Sequence, residues 1–425
     1  MKLPAIKNLS HAFLPTLCIN FIFGIGVFEY PSGKPRPILS ATLGMINIIF
    51  FLCFIELANI PGLTVLMGSK IAAQNCRMFM YFQIGFMIVV MSLSQSGSKR
   101  TRNSLRKLQD TNDRLLMFGI SSDYKLILKD QLVRNSIALI LVVTIIVLDL
   151  RYTALDIPSK FERENLLICA HHLLIFDYVI DSSYISGIRY FHNRFQRLNY
   201  HLEESDLQKN FDTQHNVESE NLFPRHSSIL NEIHGNLRSY KLADNKWLLH
   251  LIREMRKIHR DLCNMARELH KGSEILILIS VTLSFCITVG LLYVSYCVAI
   301  TSITFYDVMG GITCFLWAAF YSFKIFLIVD SCSKTSNEAM RTGVLIQELL
   351  DPMEIHNGNI RDEINIFTLQ LLQNPLCFTA NGFFVLDYQL IRGIIGSVTT
   401  FLVILIQMGS IYDRKTLDVA DIQQK

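Results

Sequence analysis

The segment Thr400-Phe401-Leu402-Val403-Ile404-Leu405-Ile406-Gln407-Met408 closes the last long apolar stretch of the chain, which runs from Gly382 to Ser410. This stretch has the length of a membrane-spanning helix, which needs about 20 mostly apolar residues. Gln407 places one amide in the otherwise apolar run. An amide cannot satisfy two donors and an acceptor in hydrocarbon. We therefore expect Gln407 to face protein or a water-filled cavity, which in a membrane protein is often a conduction path.

The composition predicts a membrane protein of the all-α class. The chain has 425 residues, 51% of them apolar and 18% charged, with a mean hydropathy of +0.33. It is too apolar for a soluble protein of this length and too charged to lie wholly in lipid. Seven stretches have about the length of a span: Ile38–Ala58, Arg77–Ser94, Arg134–Leu150, Leu166–Ile188, Ile275–Ile300, Met309–Asp330 and Gly382–Ser410.

The basic residues predict the orientation of these spans. Roughly 30 of the 40 Lys and Arg fall in the N-terminal region and the second, fourth and sixth connections, against about 8 on the other side. This predicts a cytosolic N-terminus and an extracellular C-terminus. The predicted order is a cytosolic segment with an interfacial helix (1–37), four spans (38–188), a cytosolic connection with an amphipathic anchor helix (189–274), two spans (275–330), a cytosolic anchor segment (331–381), the seventh span (382–410) and an extracellular tail (411–425).

The cytosolic parts carry helical patterns. From Trp247 to Leu269 apolar residues recur at steps of three and four, and only Gly272 separates this helix from the fifth span, so one continuous rod is expected. A second stripe between Arg361 and Leu372 leads into the seventh span. Such helices either lie on lipid headgroups or anchor subunits to one another, and periodicity leaves both open. The polar segment Leu202–Pro224 is expected to be a disordered loop.

Ionisable residues inside the spans are the first candidate site. An ionised carboxylate at bilayer depth needs a partner or water. Lys324 of the sixth span either pairs with Asp181 of the fourth or extends toward the cytosolic headgroups. His171, His172 and Asp177 share the fourth span with Asp181. These four residues also allow, as an alternative, an intramembrane metal-dependent enzyme.

A second candidate site lies nearer the outer face. Gln83, Tyr293, Tyr296 and Trp317 would suit a small organic ligand, although aromatic residues near an interface also act as belt anchors. The ten cysteines show neither a disulfide framework nor zinc-type spacing, and we expect no metal and no other cofactor. The positive-inside bias explains the basic connections without a nucleic acid.

Two short motifs invite a different seven-helix class, the G-protein-coupled receptors. They are Asp149–Tyr152, at the end of the third span, and Asn374–Phe378. The charge bias places the first motif on the outer face, and the second lies before the last span and not inside it. Both placements argue against a G-protein-coupled receptor, which remains only as the alternative function.

The end of the chain resembles the insect gustatory receptors, a chemoreceptor family related to the insect odorant receptors. The hallmark of that family in the last span is Thr-Tyr, five apolar residues and Gln-Phe. Thr400 and Gln407 match, Phe401 replaces Tyr and Met408 replaces Phe. The preceding segments Leu371–Leu376 and Ala380–Asp387 and the cytosolic Ile258–Leu262 are also similar to the family.

The resemblance implies a tetramer around a central pore, lined by the seventh helix and held below the membrane by cytosolic helices. It implies a cation channel gated directly by ligand, with Gln407 at the narrow outer part of the pore and Ile404 as hydrophobic gate. Three residues are nearly one helical turn, so these two side chains share a face. Apolar constrictions close pores by dewetting, and a ring of amides passes cations with little selectivity. Thr400 and Phe401 belong to the same pore segment.

The resemblance also places a ligand pocket in the outer half of each subunit. Trp317 resembles an aromatic floor used by sugar-responsive members, but Cys314, one turn earlier, offers only a weak donor where a sugar needs an amide or a carboxylate. A bitter or deterrent tastant is therefore expected in preference to a sugar. The implied setting is the plasma membrane of gustatory receptor neurons, in contact with membrane lipid, as a homotetramer or as a heteromer with other gustatory receptors, and without enzymatic activity.

Overall fold

The structure, a computed structural model, describes residues 9–26, 36–57, 70–117, 124–156, 160–220, 230–301, 305–348 and 358–423. Within these ranges the protein is all-α and contains no β-strand. The helices are α1 (Leu9–Ala12), α2 (Leu14–Ile22), α3 (Pro37–Leu57), α4 (Lys70–Met117), α5 (Tyr124–Asp156), α6 (Lys160–Glu220), α7 (Leu230–Thr301), α8 (Phe305–Glu348), α9 (Gly358–Gln373) and α10 (Tyr388–Gln423). The predicted all-α class is confirmed.

Four helical segments of the described residues are long and apolar enough to cross a membrane: Tyr124–Arg151, Leu249–Ile300, Val308–Glu348 and Tyr388–Gln407. A shorter apolar segment, Pro37–Cys53, belongs to α3. The predicted spans Arg77–Ser94 and Leu166–Ile188 are helical, within α4 and α6, but are not among these four. Some side chains of both spans lie outside the residues that the structure describes.

Helix α7 is the rod that the sequence predicts. It runs without a break over 72 residues, and Gly272 is helical within it. A bilayer takes only about 20 of these residues, and Glu274 is the last charged residue before Ile300. We therefore expect the membrane-spanning part of α7 to begin at Ile275 and the preceding part to project from the membrane.

The projecting part of α7 packs inside a helical bundle. Its apolar stripe is buried at Ile252, Met255, Ile258, Leu262 and Met265. The side chain of Leu248, a member of the predicted stripe, lies outside the described residues. The stripe joins one hydrophobic cluster with residues of α6, α8 and α9. A stripe covered by protein cannot rest on lipid headgroups, so the alternative of helices lying on the membrane surface was wrong for this stripe.

Helix α9 closes the bundle through both apolar and charged contacts. Its Phe367 and Ile364 are buried in the same cluster as the α7 stripe. Glu363 lies 3.1 Å from Nε of Arg253 and 2.8 Å from Nε of Arg256, both on α7. Because these carboxylate contacts hold α9 along the rod, the two predicted amphipathic helices stabilise each other within one chain.

Two local predictions were wrong. Helix α6 continues through Glu220, across most of the segment predicted to be a disordered loop. Extending an existing helix adds one hydrogen bond per residue fixed, and Leu, Glu, Gln and Lys are good helix formers. In the N-terminal segment (1–37) one interfacial helix was expected, but the described residues there contain two short helices, α1 and α2, and α2 ends at Ile22. There Gly24 has φ +67°, and a Cβ on it would lie 2.4 Å from the backbone nitrogen of Gly44 in α3.

A tight hairpin turn without regular strands, closed by one isolated antiparallel β-bridge between Thr379 and Val385, joins α9 to α10. Its turn is Asn381-Gly382, with φ of +50° and +78°, and positive φ at both central residues is the type I′ geometry that Asn-Gly favours. The backbone amide of Leu386 donates to the carbonyl of Phe378 (2.9 Å). Phe378 and Leu386 are both buried in the main core. The base of α10 is thus clamped to the bundle.

Candidate ligand site and pore helix

Asp149, near the end of α5, is the centre of a polar and aromatic cluster with His171, Trp317 and Tyr321. It is called the outer cluster because the predicted orientation puts it toward the outer face. The indole Nε1 of Trp317 on α8 donates to Oδ2 of Asp149 (3.1 Å), and Nε2 of His171 on α6 lies 3.2 Å from the same oxygen. The rings of His171 and Trp317 are 5.4 Å apart, and Trp317 stacks on Tyr321 at 6.3 Å. Three helices therefore bring a carboxylate, an imidazole and aromatic faces to one place.

Asp149 was missed as a site residue. In the sequence it stands at the end of an apolar run, where a carboxylate normally faces water. Its partner Trp317 is 168 residues away, so local patterns could not reveal the contact. The only available signal was that an ionised group so close to the predicted membrane needs a partner. Because a carboxylate does lie beside Trp317, the premise behind the preference against sugars was wrong.

Two buried polar pairs lie below the outer cluster. The amide Nε2 of Gln83 on α4 donates to Oδ1 of Asp177 on α6 (2.6 Å). Nζ of Lys324 lies 3.0 Å from Oδ2 of Asp181. The hydroxyl of Ser280 donates to Asp181 (2.8 Å) and accepts from Lys324 (3.1 Å). The structure therefore places Lys324 against Asp181 and not at the headgroups.

Three other predicted ligand residues lie apart from the outer cluster. His172 points away from His171, because neighbouring helical residues diverge by about 100°, and its ring stacks on Phe51 of α3 at 5.3 Å. Tyr296 is exposed and Tyr293 is half-buried. Neither tyrosine belongs to the hydrophobic cluster that contains Trp317. Cys314 is half-buried and lies one turn before Trp317.

The fourth-span His and Asp residues do not converge on a metal. His171 meets Asp149, Asp177 meets Gln83 and Asp181 meets Lys324. Among the described residues, no group of three or more His, Cys, Asp and Glu is placed to hold a metal ion. The arrangement therefore gives no support to the metal-dependent enzyme.

The apolar part of α10 is only partly covered by the described part of the chain. None of its apolar window is buried, and Thr400 and Gln407 are exposed. Ile404 is 44% exposed and Phe401 is 49% exposed. Phe401 contacts Phe285 of α7 edge to face at 6.0 Å, so its ring lies toward its own subunit. The hydroxyl of Thr400 donates to the Gly396 carbonyl (3.0 Å) within the helix.

The base of α10, by contrast, is firmly held. Asp387 caps the helix, because its Oδ1 accepts from the backbone amides of Gln389 (2.9 Å) and Leu390 (3.2 Å). The hydroxyl of Tyr388 donates to Asp330 of α8 (2.8 Å). Nε2 of His270 on α7 lies 2.8 Å from the carbonyl of Thr379 in the hairpin. Helix α10, which the sequence analysis assigned to the pore, is thus fixed at one end, and one face of its apolar part is left uncovered by the described residues.

Outside the membrane, one buried histidine of the bundle has a strongly shifted pKa. Nε2 of His259 lies 3.0 Å from the Ala339 carbonyl. Burial among apolar side chains disfavours the charged ring and lowers the pKa of His259 to about 4. His259 is therefore neutral at physiological pH.

Fold and site together define a multi-pass helical membrane protein with a polar cluster between its helices and one apolar helix that the described residues cover only in part. A family model described as "7tm Chemosensory receptor" matches residues 17–411. The chain belongs to this family, and the predicted resemblance to insect gustatory receptors is confirmed.

Relatives in Drosophila melanogaster match part of the chain. "Gustatory receptor for bitter taste 66a" is 28% identical over 158 residues, which cover 36% of this chain and 29% of the relative. "Gustatory and pheromone receptor 32a" is 32% identical over 105 residues, 25% of this chain and 22% of the relative. The matched segments thus span less than a third of the length of these relatives.

The fold also matches solved structures. The insect olfactory receptor OR5 from Machilis hrabei aligns with a TM-score of 0.57 over 94% of this chain and 98% of that one, at 13% sequence identity. The same receptor in complex with eugenol aligns with a TM-score of 0.57 over 94% and 97%, at 10% identity. At such low identity these matches establish the fold alone.

Proposed function

We propose that this chain is a subunit of a ligand-gated, nonselective cation channel that detects tastants at the plasma membrane of gustatory receptor neurons. In this proposal the chain has seven spans, a cytosolic N-terminus and an extracellular C-terminus. Four subunits, identical or mixed with other gustatory receptors, surround a central pore lined by α10.

The uncovered apolar part of α10 is the observation that carries this proposal. None of its apolar window is buried by the described residues, so the uncovered face is open to lipid or to other subunits. Gln407 favours other subunits, because an exposed amide in hydrocarbon is costly. A ring of such helices would place Gln407 next to the water of a pore.

Ile404 and Gln407 would then have distinct roles. An apolar ring at Ile404 closes the pore by excluding water, and a ring of neutral amides at Gln407 passes cations with little selectivity. Phe401 contacts Phe285 within its own subunit, so we assign it to positioning α10 and not to the constriction.

Helix α8 offers a physical connection between ligand and pore. It carries Trp317 in the outer cluster, Lys324 in the buried pair and Asp330 at the base of α10. A ligand that binds better when α8 is displaced would pull on Tyr388 through Asp330. The shift in the open population is limited by the differential affinity of the ligand for the two states.

The outer cluster favours a small amphipathic tastant that carries a protonated amine. Asp149 supplies the counter-charge, and the faces of Trp317 and Tyr321 attract cations. Sugars could also donate hydrogen bonds to this carboxylate through their hydroxyl groups. The preference for an amine over a sugar therefore rests on the aromatic faces and on the relative named for bitter taste. The eugenol complex is a precedent for a small aromatic ligand in this fold.

Currents in excised membrane patches test the proposal. The chain is expressed in cells that lack other chemoreceptors, alone and with related receptors, while bitter amines and sugars are applied. Current within milliseconds, without soluble second messengers, is expected of a ligand-gated channel. Ligand responses in whole cells that vanish in patches would instead favour a G-protein-coupled receptor.

Matched variants of α10 test the pore assignment. Ile404→Ala should raise the basal current because it wets the gate, whereas Ile395→Ala should not, because nine residues place Ile395 on the opposite face. Gln407→Lys should suppress cation current, and Gln407→Asn should retain it. Equal leak in both isoleucine variants, at equal surface expression, would remove Ile404 from the gate.

A further inference from the structure

A cavity of about 430 Å³ lies between α5, α6 and α8, at the end of the helix bundle where α10 begins. Its polar wall includes the ionisable residues Lys129, Asp130, Arg189, His192, Asp330 and Lys334. None of these residues belongs to the outer cluster, which lies at the opposite end of the spans.

The charges of this cavity do not balance. Asp130 lies 2.7 Å from Arg189 and 3.1 Å from Arg134. Asp330 lies 2.9 Å from Lys334 and 3.7 Å from Arg189. Lys129 lines the cavity with no ion-pair partner in the described part of the chain.

The wall therefore carries three cationic side chains, Lys129, Arg189 and Lys334, against two carboxylates, which leaves one positive charge in excess. Arg134 lies outside the wall but shares Asp130 with Arg189. His192 lines the same wall, and its buried Nδ1 has no hydrogen-bond partner among the described residues. The cavity is polar, positive and incompletely satisfied.

The apolar part of the wall indicates where a ligand would come from. Leu126 and Val133 line the same cavity and are exposed, and both lie on α5 beside the start of the predicted third span. Positive charge next to exposed apolar side chains at a membrane boundary suits an anionic headgroup with its chains in lipid. Lysine and arginine also favour phosphate oxygens.

We propose that this cavity binds a phosphate group, supplied by an anionic phospholipid or by a soluble phosphorylated molecule, next to the base of α10. The bound phosphate would contact Lys129, Arg189 and Lys334. It would compete with Asp330 for two of these cations. Since Asp330 also accepts the hydrogen bond from Tyr388, phosphate binding would change the contact that holds the pore-segment helix.

Binding to the purified full-length chain in detergent tests this site without any channel measurement, so its outcome is separate from that of the proposed function. Three probes are titrated: short-chain dioctanoyl phosphatidylinositol 4,5-bisphosphate, inositol 1,4,5-trisphosphate and dioctanoyl phosphatidylcholine. The variants are Lys129→Gln, Lys129→Gln with Lys334→Gln, and the control Lys125→Gln. Lys125 is an exposed lysine one turn earlier on α5, outside the cavity wall.

Each cavity lysine should contribute about fivefold in affinity, so the double variant should bind the bisphosphate lipid roughly 25-fold more weakly. Binding by Lys125→Gln should equal that of the unmodified chain. Binding of the lipid but not of inositol trisphosphate would identify a phospholipid, and equal binding of both would identify a soluble phosphate. No binding of either phosphate probe, equal binding of phosphatidylcholine, or unchanged affinity in the double variant would overturn the proposal.

Discussion

Removing one partner of the buried ion pair should be far more damaging than removing both. Asp181 is 0% exposed and Lys324 is 2% exposed, with 3.0 Å between them. The substitution Asp181→Asn removes the carboxylate that directly contacts the buried Lys324 ammonium, and breaking such a pair typically costs about 3 to 5 kcal/mol. For a chain of 425 residues the unfolding entropy makes 1 kcal/mol worth roughly 1 °C. The melting midpoint should therefore fall by about 3 to 5 °C.

A double variant and a surface control make this test specific. Asp181→Leu combined with Lys324→Met removes both charges, and most of the loss should be recovered because two buried ions no longer need solvation. The control is Lys107→Met, which breaks a pair with Glu268 of 3.3 Å whose side chains are 62% and 40% exposed. Exposed pairs contribute under about 1 kcal/mol. Midpoints are measured on purified protein by size-exclusion chromatography after heating. Equal losses in Asp181→Asn and Lys107→Met, or a double variant no more stable than Asp181→Asn, would refute the reasoning.

Three further predictions concern the ligand cluster, the hairpin and the bundle. Asp149→Asn should weaken activation by a cationic tastant about tenfold or more and leave activation by a neutral one nearly unchanged, measured from dose-response currents; equal losses would argue against an amine contact. Gly382→Ala should destabilise the protein by about 1 kcal/mol because φ is +78° there, whereas Gly272→Ala, in exposed helix, should be neutral or stabilising; melting midpoints compare the two. For His259, the folded pKa of about 4 lies below the unfolded value, so its stabilising contribution is complete above about pH 6.5 and is lost as the pH falls toward 4. The unmodified chain should lose about 2 kcal/mol by pH 5 from this residue, and the pH dependence of the midpoint should flatten in His259→Gln.

The sequence predicted those features that follow from local periodicity and from the cost of charge in hydrocarbon. The continuous α7 was predictable because apolar residues recur at helical steps and no proline interrupts them. The contact of Lys324 with Asp181 was one of two alternatives, and burial inside the spans explains why the structure contains the pair. The continuation of α6 through Glu220 was not predicted. The composition of Leu202–Pro224 resembles that of a disordered segment, and composition does not show that a helix already leads into it.

The remaining features depend on contacts between distant parts of the chain. Asp149 becomes a site residue only because α8 brings Trp317 beside it. The hairpin at Asn381-Gly382 is a different case, because Asn-Gly between apolar residues is a strong hairpin signal that the sequence analysis did not use. The sequence could not show that this hairpin holds the base of α10 to the bundle, because the attachment depends on contacts with His270 and with the buried Phe378.

The unbroken length of α7 makes it a lever. From Leu249 to Glu274 the helix extends roughly 39 Å at 1.5 Å per residue, and no kink separates this arm from the fifth span. A tilt of about 5° within the membrane would therefore move the far end by roughly 3 Å, more than half a helical turn. An antibody fragment or a cross-link that immobilises the arm would resist motions of the membrane helices that it never touches, and this makes the projecting bundle a handle for controlling the receptor from outside the bilayer.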